Sequence, residues 1–198
     1  MSDLFQKLEY EAFRAGITPR SAESRQWFMN KVRNLRIPNR LELMKEPQLR
    51  LANRQLIGSM NMFFYDAKHK DKLPYFDKFP LTIIVGPAPG GFSGLNLHYL
   101  PLPLRAKFLD GLLEITNNKK YDESTRFALT YSMLQKTSKT RFYKACYKHY
   151  LMSQVKSRFA RVEAPEWEIA TFLPMADFQG ASASKVYQDS RKKIGKYV

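Results

Sequence analysis

The chain has 198 residues with 44% hydrophobic and 14% aromatic content, enough for one sizeable core and too apolar for a mainly disordered protein. Its 33 Lys/Arg against 18 Asp/Glu give a formal net charge of +15, which points to a polyanionic partner, nucleic acid first and acidic protein second. No run of about 18 apolar residues offers a membrane span, the acidic N-terminus has no secretory signal core, and the lone Cys146 excludes an internal disulfide, as fits assembly in a reducing cytosol.

Residues 3–15 read as a helix with Leu4, Phe5, Leu8, Ala12 and Ala15 on one face and Gly16 as its stop. A second helix opens near Thr18-Pro19 or Ser21 and runs to Leu35. Its inward face is Trp27, Phe28, Val32 and Leu35, and its outer face carries Arg25, Lys31, Arg33 and Arg36. Pro38 ends it, and Pro47 breaks whatever helix residues 39–46 form. Residues 1–60 hold eleven Lys/Arg against six Asp/Glu, so residues 1–58 are expected to form a basic helical arm, either tracking nucleic acid or serving as a solvated linker. Residues 59–198 then form the core domain.

The centre of that domain is the least charged part of the chain. Strands are expected at 62–65, 81–85 and 92–99, separated by Pro74, Pro80, Gly86, Pro87, Pro89, Gly90 and Gly91. Residues 102–115 read as a helix, 117–120 as a polar loop, a helix runs from Asp122 or Ser124 to about 136, and another covers 141–155. Strands at 159–162 and 167–173 complete the sheet, and 185–193 form a short basic helix or tail. The fold class is α+β: a small, strongly bent, mostly antiparallel sheet or partial barrel flanked by helices. A second basic cluster falls at 119–161, with eleven Lys/Arg against two Asp/Glu.

The sequence offers little chemistry. The Gly-rich piece 87–94 lacks the Lys-Ser/Thr of a phosphate loop and precedes a strand, so it reads as a hairpin turn. Cys146 and His149 sit three apart, but no second pair completes a metal site. Asp66-Ala67-Lys68 matches half of a metal-dependent nuclease signature, with no upstream strand Asp to match the other half. Tyr65, Tyr75, Phe76, Phe79, Phe92 and Tyr99 could stack on bases, though the core of a small sheet explains them better. No cofactor, no metal and no enzymatic activity are expected.

Four segments carry a resemblance: residues 24–32, opening Ser-Arg-Gln-Trp-Phe; 58–66, Gly-Ser-Met-Asn-Met-Phe-Phe-Tyr-Asp; 72–81, Lys-Leu-Pro-Tyr-Phe-Asp-Lys-Phe-Pro-Leu; and 91–101, Gly-Phe-Ser-Gly-Leu-Asn-Leu-His-Tyr-Leu-Pro. Together they resemble a virion protein of T-even-type tailed phages and their marine relatives, and among these the DNA end protector family. That resemblance implies a protein seated on the ends of packaged DNA, shielding them from host exonucleases, with no active-site motif to transfer. A structural subunit of the phage neck or baseplate, whose basic arm meets acidic neighbouring subunits, stays open as the alternative. Expected partners are double-stranded DNA and other virion proteins. Expected phosphate contacts are Arg33, Arg36, Arg40, Arg50 and Arg54 on the arm, and Lys136, Lys139, Arg141, Lys144 and Lys148 on the later helices.

Overall fold

The apolar run at 81–85 becomes the middle strand of the molecule, β4 (Leu81–Ala88). Leu81, Thr82, Ile83, Ile84 and Val85 are all buried, so both faces of this strand are covered. The structure, a computed structural model, describes residues 3–54, 56–116, 119–120, 130, 132–134, 136 and 143–195. The other strands are β1 (Leu49–Ala52), β2 (Met60–Met62), β3 (Phe76–Asp77), β5 (Gly91–Asn96), β6 (Tyr147–Leu151), β7 (Phe159–Val162) and β8 (Phe178–Gln179). Six of them make an open antiparallel sheet in the order β1-β7-β2-β4-β5-β6, not closed into a barrel; β3 and β8 pair separately.

The expected hairpin joins β4 to β5. Ala88 pairs with Gly91, leaving Pro89 and Gly90 at the tip, and Gly90 takes a φ of 70° that favours glycine. Gly91 has no room for a Cβ, because the Tyr150 carbonyl of β6 lies against it. The strand expected over 92–99 stops at Asn96, whose side chain accepts from the His98 amide and turns residues Leu97–Tyr99 into a short 3-10 helix.

Helices α1 (Leu4–Arg14), α2 (Ala22–Val32), the short α3 (Arg40–Leu43), α4 (Leu102–Thr116), α5 (Trp167–Phe172) and α6 (Ala183–Gly195) surround the sheet. Asp3, Ser21 and Asn39 cap the first three with side-chain oxygens on backbone amides, and Gly16 follows α1 at a φ of 73°. Phe5, Leu8, Phe28, Val32, Leu43 and Leu49 join the same apolar cluster as Met60, Ile83, Leu95, Leu109 and Ile169. Helices α1, α2 and α3 thus contribute to the same core as the sheet, and β1 is one of its strands.

Three expectations are corrected. Residues 147–151 form strand β6 within the expected 141–155 helix: Cys146 and Tyr150 are buried, Tyr147 and His149 exposed, and the half-buried Lys148 hid this alternation by reading as polar. Residues 167–172 form α5, not a strand; all six are buried, so no helical periodicity showed. Arg25 is not on an outer face. It is buried, ion-paired with Asp110 of α4 and 3.5 Å from Glu168 of α5. The helix expected from Asp122 or Ser124 lies largely outside the described residues; Thr130, residues 132–134 and Lys136 are helical.

The register divides the sheet's side chains into two sets. Met60, Met62, Leu81, Ile83, Leu95, Ala160 and Val162 face the helices. The opposite face carries the aromatic cluster of Phe63, Tyr65, Phe92, Tyr150 and Phe159. On that same face a row of polar residues, Arg50, Arg161, Asn61, Thr82 and Asn96, runs across five neighbouring strands.

Candidate nucleic-acid interface

The polar row begins at the sheet's edge. Arg50 of β1 lies directly across from Arg161 of β7, an arrangement of like charges that disfavours strand pairing unless an anion lies over both. Two further arginines stand at this edge. Arg161 Nη2 donates to the Arg54 carbonyl (3.3 Å) and Arg158 Nη2 to the Leu51 carbonyl (3.1 Å). Neither Arg50, Arg54, Arg158 nor Arg161 forms an ion pair among the described residues. Sequence reasoning missed Arg158 and Arg161, although one precedes and the other lies within the segment read as a strand at 159–162. Alternation would have placed Arg161 beside a basic neighbour had the partner strand been recognised.

The ten expected contacts fare differently. Arg33, Arg36, Arg50 and Arg54 are exposed, as are Lys136 and Lys144. Arg40 is committed internally: its Nε donates to the Met175 carbonyl (3.0 Å), its Nη2 to the Ala176 carbonyl (3.0 Å), and its Nη1 lies 3.7 Å from Asp177. That clasp leaves Arg40 little to offer a phosphate. Lys139 and Arg141 lie outside the described residues. Lys148 is on a strand and recessed, with Nζ 3.8 Å from the centre of the Tyr99 ring.

At its buried end the polar row meets a sealed network. Asp77 Oδ2 accepts from Asn96 Nδ2 (3.0 Å) and lies 2.8 Å from His98 Nδ1; its Oδ1 accepts from the amides of Phe79 (3.0 Å) and Asp177 (3.1 Å). Burial works against the charged carboxylate, but the His98 ring and these donors hold Asp77 below its ordinary pKa. Burial also lowers His98, against the pull of Asp77. With these side chains shut off from solvent, Asn96 and His98 hold β3 against β5 and the 3-10 turn that follows it.

Asn96 Nδ2 also donates to Tyr150 Oη (3.0 Å). Nearby, the buried Arg105 of α4 donates to the carbonyls of Leu100 (2.7 Å), Thr171 (3.0 Å) and His98 (3.3 Å) and to Tyr187 Oη (2.9 Å). It ties α4, α5, α6 and the 3-10 turn together.

The other candidate chemistry disperses. Asp66 pairs with Lys70 (3.0 Å) across an exposed turn. The buried Cys146 donates to the Tyr143 carbonyl (3.1 Å), and burial pushes its thiol up to about 12, while His149 is exposed on β6. Among the described residues, no group of three His, Cys, Asp or Glu could hold a metal ion. No helix among them is long and apolar enough to cross a membrane. Of the six aromatics weighed for base stacking, only Tyr75 is not buried.

No curated protein and no solved structure matches the chain. One family profile does, described as the Phage T4 terminal DNA protecting protein, and its match runs over residues 5–194. It takes in the N-terminal helices, the whole sheet with its arginine edge, and nearly all of α6. The chain therefore belongs to the phage terminal DNA protecting protein family.

Proposed function

We propose that this protein binds the ends of duplex DNA through backbone phosphates and, in the phage virion, shields the packaged ends without cutting them. The observation that carries this reading is the edge of the sheet. Arg50, Arg54, Arg158 and Arg161 stand along that edge, none of them in an ion pair among the described residues, and Arg50 opposes Arg161 in the strand register. Guanidinium groups neutralise phosphate without reading base identity, which suits a protein that meets whatever sequence lies at a terminus.

The test is a salt titration of duplex binding by the purified protein, beside a control protein of similar net charge. About six phosphate contacts predict a log–log slope near −5. Linear duplex should be preferred over a covalently closed circle of the same sequence, and bound linear duplex should resist exonuclease. A slope and affinity equal to the control's would remove the physical support for this reading.

A second reading, a structural subunit contacting neighbouring virion proteins, is favoured by one feature. Phe13 is 79% exposed beside a 240 Å³ cleft lined by Ala12, Ile17, Phe28 and Ile169. Feeble DNA binding with particle assembly lost on Phe13→Ser would favour it.

A further inference from the structure

Away from the arginine edge, Lys148 of β6 poses a separate question. Its Nζ lies over the Tyr99 ring, and it forms no ion pair among the described residues. A half-buried ammonium without a counter-anion is costly, and the nearby Lys193 of α6 adds to that cost. Asp77 and Asp189, the carboxylates that border the cavities beside it, are already engaged. Asp77 is filled by four donors, and Asp189 pairs with Lys185 (2.7 Å).

Lys148 and His149 line a 160 Å³ pocket with Tyr65, Tyr75, Tyr99 and Tyr150, and the Asp77 carboxylate, already occupied by its own donors, borders it. Tyr75 also borders an adjoining 400 Å³ groove, lined as well by Lys192, Lys193 and the Lys185-paired Asp189. The inner pocket is smaller than the roughly 300–1,000 Å³ of typical small-molecule sites. It suits a single phosphoryl group better than a nucleoside.

We propose that this pocket takes the terminal phosphomonoester of a duplex DNA end, Lys148 binding it from within and Lys192 and Lys193 meeting the adjoining strand. The inference rests on the end-binding reading and adds the chemical group by which an end is told from an interior. A phosphomonoester carries about −1.5 to −2 charge near neutral pH, as phosphorylated side chains do, against −1 for each internal diester. It also projects from the chain terminus and can enter a recess. Internal phosphates lie along the backbone and cannot.

The test compares blunt duplexes of one sequence bearing 5′-phosphate, 3′-phosphate or hydroxyl ends, with inorganic phosphate as competitor, for the parent and for Lys148→Met. Thermal melting checks that the variant is folded; Lys192→Gln/Lys193→Gln, on an exposed helix face, replaces it if not. The expected result is roughly tenfold or greater loss of affinity on removing one of the terminal phosphates, a loss absent in the variant. Equal affinity of phosphorylated and hydroxyl ends overturns the pocket, and so does inorganic phosphate binding without any effect of DNA phosphorylation. If linear duplex still outcompetes the closed circle in that case, end binding survives and only the pocket fails. If it does not, the end-binding reading itself falls.

Discussion

The two faces of the central sheet are built on different principles. Toward the helices, Met60, Met62, Leu81, Ile83, Leu95 and Val162 merge with residues of α1, α2, α4 and α5 in one apolar core, to which the helices bring the rings of Phe5, Phe28, Phe108, Trp167 and Phe172. On the other face, five aromatic rings sit beside a polar row that goes from exposed Arg50 through half-buried Arg161 to fully buried Asn61, Thr82 and Asn96. One face is uniform and dry, the other a gradient from water to core. The contrast teaches that stability and charge presentation are separable here: the helix face holds the sheet together, and the second face delivers cations to its rim.

Substitutions can break this separation or sharpen it. The largest effect belongs to Arg105→Met, which leaves three carbonyls and the Tyr187 hydroxyl without their donor. A loss of at least about 3 kcal/mol in denaturant unfolding is expected. Ile83→Ala on the helix face should cost about 2–4 kcal/mol, with the salt dependence of DNA binding unchanged in the folded variant. A cost within about 0.5 kcal/mol would show that β4 is not core.

Arg50→Gln/Arg161→Gln is the converse. Stability should stay level or rise by a few tenths of a kcal/mol as the like-charge pair is removed, while the salt slope flattens by about two units. Lys148 gives a smaller, pH-dependent signal. Burial first and Lys193 second bring it down to about 8 from 10.5, so the unfolded chain binds more protons between those values. Stability should therefore rise as pH increases from about 8 toward 10.5, and Lys148→Met should flatten that rise in pH-dependent melting. Asp66→Ala should do least, changing stability by no more than about 0.5 kcal/mol and DNA protection not at all. Mg²⁺-dependent cleavage by the parent, abolished in this variant, would overturn the non-catalytic reading.

The α+β class, α1, α2, α4 and the β4–β5 hairpin were legible because their signals are local: caps at Ser21 and Gly16, breakers at Pro89-Gly90, an apolar run at 81–85. What stayed hidden depends on distant partners. α5 is buried on all sides and carries no periodicity, and β6 turns Lys148 inward against an aromatic ring. For the candidate interface, composition pointed to arginine-rich stretches but could not say which residues were taken. Arg25 and Arg40 are spent on internal contacts, while Arg50 and Arg161 meet only because β1 and β7 pair across more than half the chain.

That pairing has a consequence for how the molecule comes into being. Val162 sits between Leu49 and Met60 in the sheet, so β1 cannot join it, nor β2 gain its second neighbour beside β4, until residue 162 has been synthesised. At about 5–20 residues per second, that leaves β1 waiting roughly 5–20 s after it emerges. Glu168, which accepts from Ser24 and the Arg20 amide, arrives later still. The β4–β5 hairpin can form first from neighbouring residues, and insertion of β7 is then a late, long-range step. Only at that step do Arg50 and Arg161 come together. A nascent chain carries the charge but not the arginine edge, and acquires it when folding is all but complete.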